Sequence, residues 1–481
     1  MGGCLSTQKD PISRSYLVHK GLTKTIESNE KEECEKQGKW SELPSLPLEK
    51  IYSFLRREDQ VRMSLVCRSW SEGYSSPSVW KSFGFYLTES QLSLDTCPVM
   101  KFAQKYSSMF RHVEIESTYT HDCLWKIWCR HFVEFLKILT TKAQLTSVKF
   151  LYFANFLWRL DKPTYNNICR EIVDFLASQR YLKRVEFDLC FFNFQECVEI
   201  LRKLTENSRE SLTHLKLLNF LRDKNKDIEK DSNAAQKLLM LADLPSLRTL
   251  ETDYSFIFEN IVPRQSTAIQ TGKNCKTPVL SKLILYYFNE YTKIEDFRGL
   301  TSTDWRFMKR LYPDLQVELI LTTDSATRRE LEFFIMPNMP ITRLDYMDER
   351  CQESDWGIDI AELFSHLLAC QTNDHLLTLH LDWKKPIQHL SLTFIPFLQA
   401  CKKLKRLEVT IYSPSSGIDV LLESWLENRP ESLKKVIIHV SCIDVEDDFL
   451  TLMNLTTEYV SLLKKAGLNI CVNLYNHRIA Y

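Results

Sequence analysis

The chain has 481 residues, 44% of them apolar and 26% charged, enough to bury a large core over about three domains or one long repeat array with an appendage. Its 62 basic and 62 acidic side chains cancel, so a phosphate-tracking mechanism built on excess Lys and Arg gets no support. Only 11 residues are glycine, which argues against doubly wound nucleotide folds, where glycines let backbone meet phosphate.

The N-terminal stretch MGGCLSTQKD lacks the apolar core of a secretory signal. No run in the chain reaches the roughly 18 apolar residues of a spanning helix. The same stretch fits the M-G-x-x-x-S/T acylation pattern, with Gly2 and Ser6 in place and Cys4 as a candidate palmitate acceptor. One myristoyl chain binds bilayers only marginally, and a second chain makes the anchor stable. Residues 1–39 read as a flexible segment, strongly charged in ESNEKEECEKQGK. The fifteen cysteines include no CxxC pair, and the nearest neighbours are Cys123–Cys129 and Cys190–Cys197. That spacing is too wide for a tight zinc module, so the expectation is reduced thiols, no metal and no cofactor.

At Trp40 the character changes, and residues 43–80 form a compact apolar stretch. Pro47 suits the first turn of a helix, where its missing N–H costs nothing. Ile51, Phe54 and Leu55 then share a face. Asp59 is expected to cap a second helix whose buried face carries Met63, Val66, Cys67 and Trp70. Pro77 starts a last turn that closes on Trp80. About forty residues bury little surface alone, so this module needs a neighbour or a partner.

The rest of the chain is periodic. L-x-x-L-x-L, with aliphatic or aromatic substitutes, starts at Phe110, Leu145, Leu182, Leu212, Leu280, Ile341, Leu376, Leu404 and Leu433. LRTLET at Leu247 departs only at Thr252, and apolar alternation survives at Val317–Leu321 and Leu468–Leu474. The mean interval is about 33 residues, longer than regular leucine-rich repeats. Helical patterns lie between the strands, at 124–139, 165–180, 197–204, 358–370, 418–429 and 458–467. Neither face of such a unit is buried without the next one, so stacking gives a parallel strand ladder with helices on its other side. Polar segments 222–235 and 261–278 interrupt the array as exposed loops.

Residues 43–80 resemble an F-box. The family pattern appears as Leu43-Pro44, then Ile51-Tyr52-Ser53-Phe54-Leu55, Asp59, Leu65-Val66-Cys67-Arg68-Ser69-Trp70, and Pro77-Ser78-Val79-Trp80. Tyr52 stands where Phe is usual, and Gln60 replaces a common Leu. An F-box followed by leucine-rich-type repeats resembles the substrate receptors of Skp–cullin–F-box ubiquitin ligases. The irregular repeats look most like the F-box-only protein 39-like group. The resemblance implies an α/β chain: a flexible segment (1–39), a small helical F-box module (40–86) and an irregular leucine-rich-repeat solenoid (87–481), with strands on the concave side and helices outside. It implies that Pro44, Leu46, Ile51, Tyr52, Leu55, Leu65, Val66, Cys67 and Trp70 form the F-box core and the interface with the Skp adaptor. Through that adaptor the chain would join a cullin ligase, with no catalysis of its own.

Specificity for a protein substrate is expected on the outward strand positions. These include Arg184, Glu186, Lys216, His380, Arg406, Glu408, Lys435 and His439. Their mixed sign suits a protein surface better than nucleic acid. An enzyme finds little support. No H-x-x-x-H or G-x-S-x-G occurs, and Gly272-Lys273 lacks the upstream glycine of a phosphate loop. His375 and His380, five apart on a strand, would point to opposite faces, and Cys129 with His131 reads as helix packing. A third reading is a membrane-tethered repeat scaffold without a ligase role, located by Gly2 and Cys4. The expected location is the cytoplasm, at the cytosolic face of a membrane when acylated, with the nucleus left open.

Overall fold

The computed structural model describes residues 40–94, 97–117, 124–222, 244–256, 279–289, 293–323, 327–348, 358–385, 387, 389–412, 417–441 and 446–475. Gly2, Cys4, segment 261–278 and all but the first residue of segment 222–235 lie outside them. The chain divides into two units, Met1–Val79 and Trp80–Tyr481.

The first unit contains helices α1 (Ser45–Phe54), α2 (Arg57–Ser64) and α3 (Arg68–Tyr74). Pro44 stands at the N-cap of α1 and Pro47 lies in its first turn, where proline is tolerated. The buried residues of α1 are Leu48 and Tyr52, not the expected Ile51–Phe54–Leu55 face. Tyr52 Oη donates to the Trp70 carbonyl at 2.7 Å, so α1 is tied to α3 through the core. The helices meet at Gly73, where a Cβ would stand 2.5 Å from Leu48 Cδ2. The second helix differs from expectation too. It starts at Arg57 with no side-chain cap from Asp59, and it ends at Ser64. The chain breaks at Leu65–Cys67 before α3 begins, leaving Val66 exposed. Gln60 explains the tight α1–α2 corner. It is buried, and its Nε2 donates to the carbonyls of Tyr52 (2.8 Å) and Leu55 (3.2 Å). Those are carbonyls at the end of α1, of which the Tyr52 carbonyl also accepts from Leu55 N at 3.1 Å.

The second unit is a parallel sheet of thirteen strands in sequence order. They are β1 (Ser82–Phe85), β2 (His112–Glu116), β3 (Ser147–Leu151), β4 (Arg184–Asp188), β5 (His214–Leu218), β6 (Thr249–Asp253), β7 (Lys282–Phe288), β8 (Gln316–Thr323), β9 (Ile341–Asp348), β10 (Thr378–Trp383), β11 (Arg406–Tyr412), β12 (Lys435–Ser441) and β13 (Asn469–Leu474). All twelve expected strands are present. β1 is additional: Trp80, Phe83 and Phe85 occupy the three apolar positions of a further hexamer whose last four residues form the strand, so the repeat starts inside the motif read as the end of the F-box. Trp80, the first residue of this unit, packs on Phe102 and Tyr106, with ring centroids 4.6 and 5.2 Å away.

Alternate strand residues pack toward the helices in continuous rows. One row runs Val113, Val148, Val185, Leu215, Leu250, Leu283, Val317. The next carries Phe150 stacked on Phe187, centroids 5.0 Å apart. Full burial of each such side chain contributes about 1.5–3 kcal/mol. The register breaks once, between Val317 and Glu318. Pro340, just before β9, has no N–H to give. Its carbonyl accepts from Val317 N at 3.0 Å, and Thr342 is left as the extra residue.

The helices are α4 (Glu89–Leu92), α5 (Pro98–Tyr106), α6 (Trp125–Lys142), α7 (Ala154–Leu157), α8 (Lys162–Ser178), α9 (Phe194–Ser208), α10 (Ser302–Leu311), α11 (Arg328–Phe334), α12 (Ile360–Ala369), α13 (Leu390–Ala400), α14 (Ile418–Asn428) and α15 (Glu446–Lys465). Six of them, α4, α5, α7, α10, α11 and α13, lie outside the expected helical patterns, and three of these open on capping boxes: Thr88 with Gln91, Thr301 with Asp304 and Thr327 with Glu330. His375 is not on a strand. It ends the short 3-10 turn Thr372–Asp374, three residues before β10.

Candidate partner-docking surfaces

Apolar side chains that the helical unit leaves outside form its candidate surface. Leu46 (75% exposed) and Phe54 (77%) share one stripe of α1, with Lys50 between them over the Phe54 ring at 4.9 Å. Val61 and Leu65 are likewise four residues apart, and Leu65 is 80% exposed beside Val66. Of the expected adaptor residues, Pro44, Leu46, Leu65 and Val66 are exposed, and Ile51, Leu55 and Cys67 are half-buried. Tyr52 and Trp70 are core residues. Tyr52 is fully buried, and Trp70 Nε1 donates inward to the Trp40 carbonyl at 2.9 Å. They shape the surface without reaching it. Phe54 and Val61 also belong to the surface, although neither was among the expected adaptor residues.

On the sheet, the face away from the helices carries charge in register. One row reads Glu114, Lys149, Glu186, Lys216, Glu251, alternating in sign from β2 to β6. Lys149 reaches Glu114 at 3.5 Å and Glu186 at 3.6 Å. Arg184 pairs with Glu186, and Lys216 with Asp188 at 2.7 Å. Further along, Lys282 meets Glu318 at 2.9 Å, and Arg343 meets Asp345 and Arg406 meets Glu408 at 2.6 Å. The Lys149, Lys216 and Lys282 pairs join adjacent strands, where opposite charges stabilise the ladder, whereas Arg184–Glu186, Arg343–Asp345 and Arg406–Glu408 each lie within one strand. They also mean that the expected substrate residues are in part engaged with one another: Glu186 is only 5% exposed. In the C-terminal repeats His380, Lys435 and His439 are half-buried, and His439 Nδ1 lies 3.2 Å from the Tyr475 hydroxyl. Glu114, Lys149, Asp188, His214 and Glu251 complete the ladder. All but Asp188, which follows LKRVEF, were legible as the other polar positions of the same hexamers.

His214 stands between Glu251 (3.3 Å) and Glu186 (3.9 Å). Burial, with Arg184 adding to it, pushes its imidazole down to about 4 despite Glu186. Burial also raises the Glu251 carboxyl.

The buried thiols of Cys129, Cys169 and Cys401 are poor nucleophile candidates. Burial pushes Cys129, Cys169 and Cys401 up to about 12. Cys129 and His131 both lie buried on α6. Cys370 Sγ lies 3.6 Å from His366 Nε2, a pair that the sequence reading missed, but burial raises this thiol as well. The same ring nitrogen lies 2.9 Å from the Ile335 carbonyl. No group of three His, Cys, Asp or Glu among the described residues is set to hold a metal ion. None of the described helices is long and apolar enough to cross a membrane.

Comparison with known proteins bears on the first surface. The F-box-like family model matches residues 40–86. F-box/LRR-repeat protein 21 of Bos taurus and that of Mus musculus are each 30% identical to this chain over 81 residues. The match covers 16% of this chain and 19% of theirs. Among solved structures, a chain from "Crystal structure of TLR13-ssRNA13 complex" aligns over 83% of this chain and 52% of its own at 14% identity. Its TM-score of 0.29 is too low for a shared shape to be inferred. Residues 40–86 are thus an F-box-like region, followed by a parallel-strand repeat sheet backed by helices.

Proposed function

We propose that this chain is the substrate-recognition subunit of a Skp–cullin–F-box ubiquitin ligase. The observation that carries the reading is the set of solvent-facing apolar side chains, Leu46, Phe54, Val61, Leu65 and Val66, on an F-box-like region. Exposed apolar patches of this kind mark protein contacts. The Skp adaptor would cover them, and the repeats would hold a protein substrate. Joining both partners raises their effective concentration, so no chemistry is needed on this chain. The buried, high-pKa thiols support a non-catalytic role. The irregular repeats favour the F-box-only protein 39-like group within this class.

The test is co-expression with the Skp adaptor, comparing wild type with a Leu65→Asp, Val66→Asp variant. Both positions are exposed, so the variant should stay folded by circular dichroism while co-purification is lost. A folded wild-type chain that does not bind the adaptor sinks the proposal and favours the membrane-tethered scaffold. We further propose a cytoplasmic location with acylation at Gly2 and Cys4. A membrane-bound fraction unchanged by Gly2→Ala removes that part alone.

A further inference from the structure

We infer that the turns following β3, β4 and β5 form a docking platform for an acidic substrate segment that carries a large apolar side chain. Its identification with a substrate rests on the receptor reading above.

Four residues in these turns hold left-handed backbone: Tyr152 (φ 61°), Leu189 (φ 53°), Phe191 (φ 50°) and Asn219 (φ 47°). Asparagine tolerates that conformation, whereas bulky Tyr, Leu and Phe rarely adopt it. The turns are held by bonds that continue the sheet. Tyr152 N donates to Asp188 O at 2.9 Å, Ala154 N to Leu189 O at 2.8 Å, Phe191 N to Asn219 O at 2.9 Å and Arg222 N to Phe192 O at 2.8 Å. A surface fixed this way loses little freedom on binding.

Two aromatic rings face solvent here, Tyr152 from a strained turn and Trp158 from the C-terminal end of α7. Trp158 is 52% exposed and Tyr152 44%. Trp158 rests edge-on against Phe191, centroids 5.3 Å apart, and the Arg222 guanidinium lies 5.8 Å from its ring centre. Next to it in sequence, Arg159 lies over Trp125 at 5.5 Å. Trp, Tyr and Arg are the residues that concentrate binding energy at protein interfaces.

Charge selects the partner. Lys126, Arg159, Lys162 and Arg222 are all exposed. Among the described carboxylates here, Asp188 is held by Lys216 at 2.7 Å and Asp253 Oδ2 accepts from Asn219 N at 2.8 Å, while Asp161, which accepts from Thr164 N at 2.8 Å, keeps its charge and offsets Lys126, leaving Lys162 and Arg222 as the local excess. On a chain of zero net charge, this local excess of base beside aromatic rings suits carboxylates flanking an apolar anchor. A row of cations tracking phosphates, as nucleic acid would require, is not what these residues form.

The test uses the full chain co-expressed with the Skp adaptor. Its probe is a fluorescent peptide with a central Leu-Phe flanked by glutamates, read by anisotropy. We expect salt-sensitive binding that weakens about tenfold or more in Trp158→Ala and in Arg222→Glu, and less in Arg222→Lys. The proposal is overturned if folded wild type fails to bind the peptide or both variants bind it equally well. It is also overturned if a lysine-flanked peptide binds as tightly or a polyuridine oligonucleotide binds more tightly. Adaptor co-purification in the same samples separates the two readings. Adaptor bound without peptide overturns this platform alone. Peptide bound without adaptor leaves the platform standing and removes the ligase role.

Discussion

Thr252 occupies a core row whose neighbours on either side are Leu217 and Leu285. It is fully buried, and its hydroxyl has no hydrogen-bond partner among the described residues. Burying an unpaired hydroxyl costs about 1–3 kcal/mol. The near-isosteric Thr252→Val should therefore raise the urea midpoint, by about 1 kcal/mol in stability. A lower midpoint would show that water or another group satisfies the hydroxyl. His214 makes a second prediction at this scale. Its unfolded imidazole takes up a proton near pH 6.5, while the folded one resists until about 4. Between those values the unfolded chain binds more protons, so stability falls as pH falls through this window. The raised Glu251 carboxyl works in the opposite direction. Denaturation at stepped pH should show a shallower acid loss for His214→Gln than for wild type, and identical slopes would refute the assignment.

Among the elements, α13 is the one most at odds with its own sequence. Pro396 lies inside it, and a proline there removes a hydrogen bond to residue 392 and crowds that carbonyl. The helix forms because Leu390, Phe394, Phe397 and Leu398 are buried together, an example of packing overriding propensity. Pro396→Ala should add the missing bond and stabilise the chain by about 1–3 kcal/mol, checked by thermal unfolding. No gain would mean that the helix is already curved to suit the ring. The opposite case is α2 and α3. Apolar spacing from Met63 to Trp70 reads as one helix, yet the chain turns at Leu65–Cys67. Leu65 and Val66 are thereby turned outward as apolar anchors. Periodicity registered their character but not the side on which they lie. For α10 and α11 the signal was present in the capping boxes, and only their short apolar faces hid them.

For the whole molecule, the sheet pairs each strand only with its sequence neighbours, so stability is a sum of local interfaces. The ends should open first. β13 holds a single buried residue, Ile470, whereas β8 buries six of its eight positions. Hydrogen exchange by mass spectrometry should show the lowest protection in β1 and β13 and the highest around β4–β5 and β8–β9. Uniform protection would instead indicate one cooperative unit.

The repeat architecture was determined by sequence alone, because a parallel strand packed on one side needs apolar residues at fixed spacing. The hexamers from LTSVKF to LKKVII state that requirement residue by residue. The F-box-like region was legible for the same reason, through spaced anchors from Leu43 to Trp80. Tertiary structure decided which anchors face inward: Tyr52 and Trp70 close the core, while Phe54, Leu65 and Val66 stay outside. It decided that Lys149, Lys216 and Lys282 engage carboxylates of the neighbouring strand, since pairing depends on register between segments some 30 residues apart in sequence. It also brought Tyr152, Trp158, Phe191 and Arg222 to the C-terminal ends of β3, β4 and β5, because three separate turns align only once their strands do.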